Sequence, residues 1–155
     1  MKNKEEYYMA FAIKEAKKAE LEDEVPIGCV IVREDKIIAR SHNRKESKDS
    51  AIYHAEVEAI LEASKVKDSW NLNDCDLYVT LEPCLMCTGA ILNSRLRKVC
   101  YGASSFKSGF LKTKIDLEEI QGLNHYPMIR AGILEKECAQ LLSSYFQKKR
   151  FSQTE

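Results

Sequence analysis

Four residues in two short stretches have the types and spacing to do chemistry. In Tyr53-His54-Ala55-Glu56 an imidazole and a carboxylate stand two positions apart, and in Pro83-Cys84-Leu85-Met86-Cys87 two thiols stand three apart. Zinc binds thiolate sulfur and imidazole nitrogen tetrahedrally; a catalytic site supplies three protein ligands and leaves the fourth position for water. His54, Cys84 and Cys87 meet that count. At i,i+3 the two cysteines share one face of a helix. A helix start there, with its exposed N–H groups and dipole, favours the thiolate form that binds metal. Glu56 then has a use, because a carboxylate beside an activated water can take a proton from it and pass that proton to a leaving group.

Each piece also has a plainer reading. A C-x-x-C pair is commonly a redox couple or half of a structural zinc site. A redox couple belongs on a thioredoxin-like βαβ pattern, whereas this chain opens with a helix and then a hairpin. A structural four-ligand site needs one more ligand, for which His42, Cys75 and Cys100 are candidates without paired spacing. His-Ala-Glu alone carries little, since a histidine at a helix start is often a cap or a surface group. The joint pattern carries more: two motifs in order, each at a loop-to-helix junction.

The elements that must position these groups follow from periodicity and turn chemistry. The chain has 155 residues, enough for one domain, with 45% hydrophobic and 31% charged residues, an ordinary globular composition. Residues 4–21 carry apolar side chains near helical spacing and predict an amphipathic helix. IGCVIVRED and KIIARSHN, residues 27–43, predict a hairpin turning at Glu34 and Asp35. Residues 44–53 predict a loop, and 54–66 a helix. DLYVTL, 76–81, predicts a buried strand, followed by a helix from Cys84 to about Asn93 with Pro83 at its start. A strand at 98–103, an irregular stretch with a helical turn at 116–121, a last strand over 126–132 and a helix over 134–151 complete the order. This order implies an α/β fold, a mixed sheet covered by helices on both faces. Trp70 is expected to anchor a loop and His125 to hold the final one, while Cys29, Cys75, Cys100 and Cys138 read as structural thiols.

The bulk charge excludes some partners. Twenty-four basic residues balance twenty-four acidic ones, so a nucleic-acid partner must be argued from local patches. The charged N-terminus has no apolar h-region and no apolar run approaches the ~20 residues needed to span a bilayer, so no membrane is expected and the cytoplasm is. Six cysteines in a reducing compartment read as thiols or metal ligands.

The order His-x-Glu…Pro-Cys-x-x-Cys matches the zinc-deaminase signature. Over nearly its whole length the chain resembles the cytidine deaminase-like superfamily, and within it the bacterial tRNA-specific adenosine deaminases. EVPIGCVIV (24–32), SHNR (41–44), HAEVEAI (54–60), LYVTLEPCLMCTGAILNSRLRKVCYGA (77–103), GLNH (122–125) and SSYFQKKR (143–150) carry the likeness. The resemblance implies a single zinc-dependent deaminase domain over residues 1–155, built as a three-layer α/β/α sandwich on a five-stranded mixed sheet, and a homodimer, with the helix from Cys84 as its candidate interface. It implies Zn2+ on His54, Cys84 and Cys87, and Glu56 as proton shuttle. Asn43 would hydrogen-bond a flipped base, with Pro26, Ile27 and Gly28 walling its pocket and the backbone near Pro83 and Cys84 facing the attacked edge. The implied reaction is hydrolytic: water adds at the purine carbon bearing the amine, ammonia leaves, and the wobble adenosine of a tRNA anticodon stem-loop becomes inosine.

Two stretches depart from the family's wording. Where it has Asp-Pro-Thr-Ala before the histidine, this chain has Ser50-Ala51-Ile52-Tyr53; where it has Arg-Asp after Gly-Ala, this chain has Ser104-Ser105. Basic residues at 95–98, 107–114 and 148–150 and the pair Tyr145-Phe146 offer phosphate contacts and stacking platforms, or else a solvated helix face and ordinary core packing. Three readings therefore stand: a tRNA adenosine deaminase, the same chemistry on a free nucleobase or nucleoside (guanine, cytosine or cytidine), and a non-catalytic zinc-stabilised module. Glu56 speaks against the last, since a structural metal has no use for a proton shuttle.

Overall fold

The computed structural model describes residues 3–154. Helix α1 (Lys4–Leu21) opens on an Asn3 cap whose side chain accepts from the Glu6 N–H at 2.8 Å. Its buried stripe is mostly small, with Ala12, Ala16 and Ala19 beside Tyr8 and Met9, so the helix lies close to the sheet. Strands β1 (Gly28–Arg33) and β2 (Lys36–His42) form the hairpin. Its two turn residues, Glu34 and Asp35, both have positive φ (50° and 62°), which matches the twist of the flanking strands. Helix α2 (Ala55–Lys67), strand β3 (Cys75–Leu81), helix α3 (Leu85–Ser94) and strand β4 (Lys98–Ala103) follow. A 3₁₀ turn at Leu117–Glu119, a three-residue strand β5 (Met128–Arg130) and helix α4 (Glu135–Thr154) end the chain.

The sheet order is β2-β1-β3-β4-β5. Pairings β1–β2 and β1–β3 are antiparallel, while β3–β4 and β4–β5 are parallel, so the sheet is mixed as expected. Period-2 alternation sends Cys29, Ile31, Leu77, Val79, Val99 and Tyr101 to the face covered by α2 and α3. Val30, Val32, Tyr78 and Cys100 point the other way, against α1 and Cys138 of α4. A central strand buried on both faces reads as a continuous apolar run, which is why 77–81 was legible. One expectation is not met: Trp70 is not buried as a loop anchor but 64% exposed, lining a surface groove beside Leu61.

The sheet also decides where chemistry can sit. The C-terminal ends of β2 and β3 and the N-terminal end of β1 lie side by side, with Gly28 opposite His42 and its N–H donating to Thr80 Oγ1 at 3.1 Å. From that edge the chain leaves to start α2 and α3.

Candidate active site

Both helices that begin at this edge place unusual residues at their N-caps. His54 caps α2 and Cys84 caps α3, each in extended conformation and neither using its side chain to cap. Ser, Thr, Asp or Asn would normally stand there and accept from the first-turn N–H groups. Here the imidazole and thiol are free to turn toward each other. The Ser41 hydroxyl donates to the Ala55 carbonyl and fixes the first turn of α2 to the end of β2.

His54 Nδ1 lies 3.6 Å from Cys84 Sγ and 3.5 Å from Cys87 Sγ, and the three donor atoms all lie within 4.8 Å of one another. Zinc bonds of about 2.3 Å to sulfur and about 2.0–2.1 Å to nitrogen, set at tetrahedral angles, separate those atoms by about 3.6 Å. The donor set therefore fits zinc in spacing as well as in ligand type. His42, Cys75 and Cys100 do not join it; among the described residues this trio is the one such group.

The electrostatics of the trio are split: without a cation, only Cys84 is drawn toward the deprotonated form that a metal ligand needs. Hydrogen bonding to Cys87 first, then to His54, draws the Cys84 thiol down to about 4 against the opposing effect of burial. Cys87 is pushed the other way by the Cys84 thiolate and by burial. The Cys84 thiolate raises the affinity of His54 for its proton. Glu56, on the first turn of α2, is 5% exposed, and burial pushes its carboxyl up to about 6.

These groups open onto a cavity of about 170 Å³. Its lining includes five expected residues, His54, Glu56, Cys84, Asn43 and Ile27. Asn43 is held as a wall: its N–H donates to the Ile27 carbonyl at 3.0 Å, its Oδ1 accepts from the Lys45 N–H at 3.3 Å and its Nδ2 donates to the Val25 carbonyl at 3.5 Å. Cys87 is buried behind the cavity.

Pro26, Gly28 and Pro83 do not line it. Gly28 faces α1 instead, and a Cβ there would overlap the Ala12 carbonyl oxygen and the Ala16 nitrogen. The Pro83 carbonyl accepts from the Phe110 N–H at 3.0 Å. Tyr145 is 9% exposed and lines a separate groove between α1 and α4 with Lys17, Asp23 and Lys149. Phe146 packs edge-on against it at 5.3 Å between ring centroids and remains 48% exposed.

Val25, Lys45, Leu81, Glu82 and Ser108, none of them expected from the sequence, also line the cavity. Glu82 had a signal, an acid directly between an apolar strand and Pro83-Cys84. Ser108 had none, because its approach depends on how the 104–114 loop folds back. Glu24 was also missed: buried at 1% exposure, it accepts from the Glu46 and Ser47 N–H groups at 3.0 and 2.6 Å and pins the loop leading to His54.

Residues 2–103 match the cytidine and deoxycytidylate deaminase zinc-binding region. The chain is 47% identical over 146 residues to a tRNA-specific adenosine deaminase of Bacillus subtilis (strain 168), covering 94% of this chain and 91% of that protein. A tRNA-specific adenosine deaminase of Rickettsia bellii (strain RML369-C) is 45% identical over 92% of this chain and 99% of its own. A solved structure from work on A-to-I editing by tRNA:A34 deaminases at the wobble position of transfer RNA superposes with a TM-score of 0.84 at 38% identity, covering 88% of this chain and 99% of that one. A guanine deaminase structure from Bacillus subtilis gives a TM-score of 0.63 at 38% identity, covering 66% of each chain.

Proposed function

The chain belongs to the cytidine and deoxycytidylate deaminase zinc-binding family, and from that premise we propose that residues 1–155 act as one deaminase domain converting the wobble adenosine of a tRNA anticodon stem-loop to inosine. One observation carries the chemistry: His54, Cys84 and Glu56 line a single cavity of about 170 Å³, and buried Cys87 completes the metal-ligand trio with His54 and Cys84. Cavities that engulf a whole small-molecule ligand run to about 300–1,000 Å³. A smaller one suits a single extruded base whose sugar and phosphates stay outside. The 47% identity to a tRNA-specific enzyme along nearly the full length supports the choice of substrate.

In this reading zinc on His54, Cys84 and Cys87 supplies Lewis-acid activation of water. Glu56 takes a proton from the attacking water and delivers it to the departing amine nitrogen, so adenosine and water give inosine and ammonia. Asn43, already fixed by three backbone contacts, hydrogen-bonds the base edge. Ile27 supplies an apolar wall. Pro26, Gly28 and Pro83 act from behind it by setting the backbone that carries Ile27 and Cys84. Tyr145 and Phe146 take up RNA beyond the target together with Lys148 and Lys149.

We further propose a cytoplasmic homodimer joined through α3 and the neighbouring face of α2. Leu61 and Trp70 are 60% and 64% exposed there, in a shallow apolar groove with Val57 and Ala90. Sedimentation at twice 17.8 kDa supports this assembly, and a monomer at micromolar concentration removes it. No helix of the described residues is long and apolar enough to cross a membrane.

The guanine deaminase likeness, over two thirds of each chain, supports a second reading in which a free base is the substrate. The test is an inosine readout. Zinc-loaded protein is incubated with an adenosine-wobble stem-loop and, separately, with adenosine, guanine, cytosine and cytidine. Conversion of the stem-loop alone is expected. Turnover of a free base with the stem-loop untouched replaces this reading with the second.

A further inference from the structure

Glu82 directly follows the last residue of β3, two residues before Cys84, and is 2% exposed. A buried carboxylate is tolerated when hydrogen bonds replace its water. Here one segment of chain supplies them all. Oε1 accepts from the Ser105 N–H at 3.1 Å and the Thr113 hydroxyl at 2.5 Å, and Oε2 accepts from the N–H groups of Leu111, Lys112 and Thr113 at 3.2, 2.9 and 2.9 Å. The two ends of the 105–113 loop are thus drawn onto a single charge.

The loop is built around that carboxylate. A Cβ on Gly109 would lie 2.5 Å from Glu82 Cδ, so the backbone needs glycine to close over it. The Ser108 N–H donates to Ser105 Oγ at 3.1 Å, and Leu111 is fully buried in the core. Ser105 therefore serves this chain as the loop's inner turn. Between the tethered ends Ser108 reaches the cavity wall, while Phe106, two residues away, is 84% exposed. Lys107 beside it is exposed as well. An aromatic ring held out into solvent on a loop tethered at both ends, two residues from the cavity-lining Ser108 and next to a cation, has the composition of a stacking platform for single-stranded nucleic acid. Tethering matters because a loop that is already ordered loses little entropy on binding.

We propose that Glu82 is a positioning residue that holds the 105–113 loop as a fixed lip of the cavity, and that Phe106 on this lip stacks on a nucleotide flanking the one inserted. The inference rests on the polynucleotide reading above and deepens it by naming how the neighbouring nucleotide is recognised. Glu82 acts through the loop and touches no reacting atom. The Ser104-Ser105 departure is then consistent with a lip that grips by stacking rather than by an acidic side chain.

The test uses the zinc-loaded full chain with the adenosine-wobble stem-loop, intact and with single abasic nucleotides at each position flanking the target. Phe106→Ala is expected to raise KM about ten-fold, the loss of one stacked base, with zinc content retained. Phe106→Trp restores it. One abasic position raises KM for the wild type and adds nothing to Phe106→Ala, which identifies the stacked nucleotide. Glu82→Gln raises KM more than it lowers kcat, and the double variant Glu82→Gln/Phe106→Ala is no worse than the single ones. Should Glu82→Gln fail to fold, Thr113→Val removes one of the five bonds and is expected to raise KM two- to five-fold. An unchanged KM for Phe106→Ala, or penalties that add in full at every abasic position, overturns the inference while wild-type turnover leaves the polynucleotide reading standing. A wild type inert on the stem-loop overturns both.

Discussion

His54 and Cys84 stand thirty residues apart and cap different helices, yet His54 Nδ1 lies 3.6 Å from Cys84 Sγ. Two helix N-termini therefore point their unpaired N–H groups at one place, which favours negative charge there. Each helix gives up an ordinary cap, worth about 1 kcal/mol. The spacing the two side chains adopt instead is that of adjacent vertices of a zinc tetrahedron.

Metal content follows directly from that spacing. One zinc per chain is expected by elemental analysis. Cys84→Ser or Cys87→Ser should lose most of it, together with at least a hundred-fold in turnover. Because the ligands come from two separate helices, stripping zinc with a chelator should also lower the melting temperature by several degrees. Retention of stoichiometric zinc by either variant would sink the ligand assignment.

Glu56 separates catalysis from structure. Glu56→Gln keeps the size of the side chain and removes its ability to carry a proton. Zinc content should be unchanged and turnover should fall by about 10²–10⁴-fold. Loss of zinc together with activity would instead make Glu56 a support for the ligands.

Gly28 tests the packing behind the cavity. Any Cβ there meets the backbone of α1, which cannot rotate aside as a side chain would. Gly28→Ala is expected to destabilise the fold by about 3 kcal/mol in urea denaturation, an overpacking cost at the high end of its range. A loss below about 1 kcal/mol would show that α1 can shift away from β1.

Asp74 supplies a pH dependence remote from the metal. Ion pairs to Lys67 at 2.7 Å and Arg33 at 2.9 Å hold its carboxyl well below the usual carboxylate range. A depressed folded-state value contributes stability that is present above the unfolded value, about 3.9, and lost as pH falls through the folded one. Asp74 is 38% exposed, so solvent screening keeps the contribution to about 1 kcal/mol or less. Asp74→Asn should therefore cost stability in urea at pH 7, and the gap to wild type should close progressively below pH 4. A gap that widens in acid would reverse the sign of this coupling.

Much of the fold could be read along the chain because its signals are local. The apolar run of β3, the helical spacing of residues 4–21 and the hairpin turn at Glu34 and Asp35 each act within a few positions, so element order and type followed. Residues 104–124 are irregular with a helical turn, as read, but the loop's shape was not legible because it is set by Glu82, more than twenty positions upstream of Ser105, and no periodicity encodes that bond. Trp70 misled for the same reason: a large apolar side chain suggests burial, but whether a surface covers it is decided elsewhere in the molecule.

At the site, the sequence determined the reagents. An imidazole, a carboxylate and two thiols in that order supply a metal-ligand set and a candidate proton carrier, because ligand chemistry depends on residue type. Only the tertiary structure decided which residues meet. The edge where β1, β2 and β3 end side by side brings Asn43 and Ile27 to the cavity, turns Gly28 toward α1 and sets Tyr145 in another groove. Strand pairing and helix packing fix those neighbours, and they act between residues that the linear chain keeps far apart.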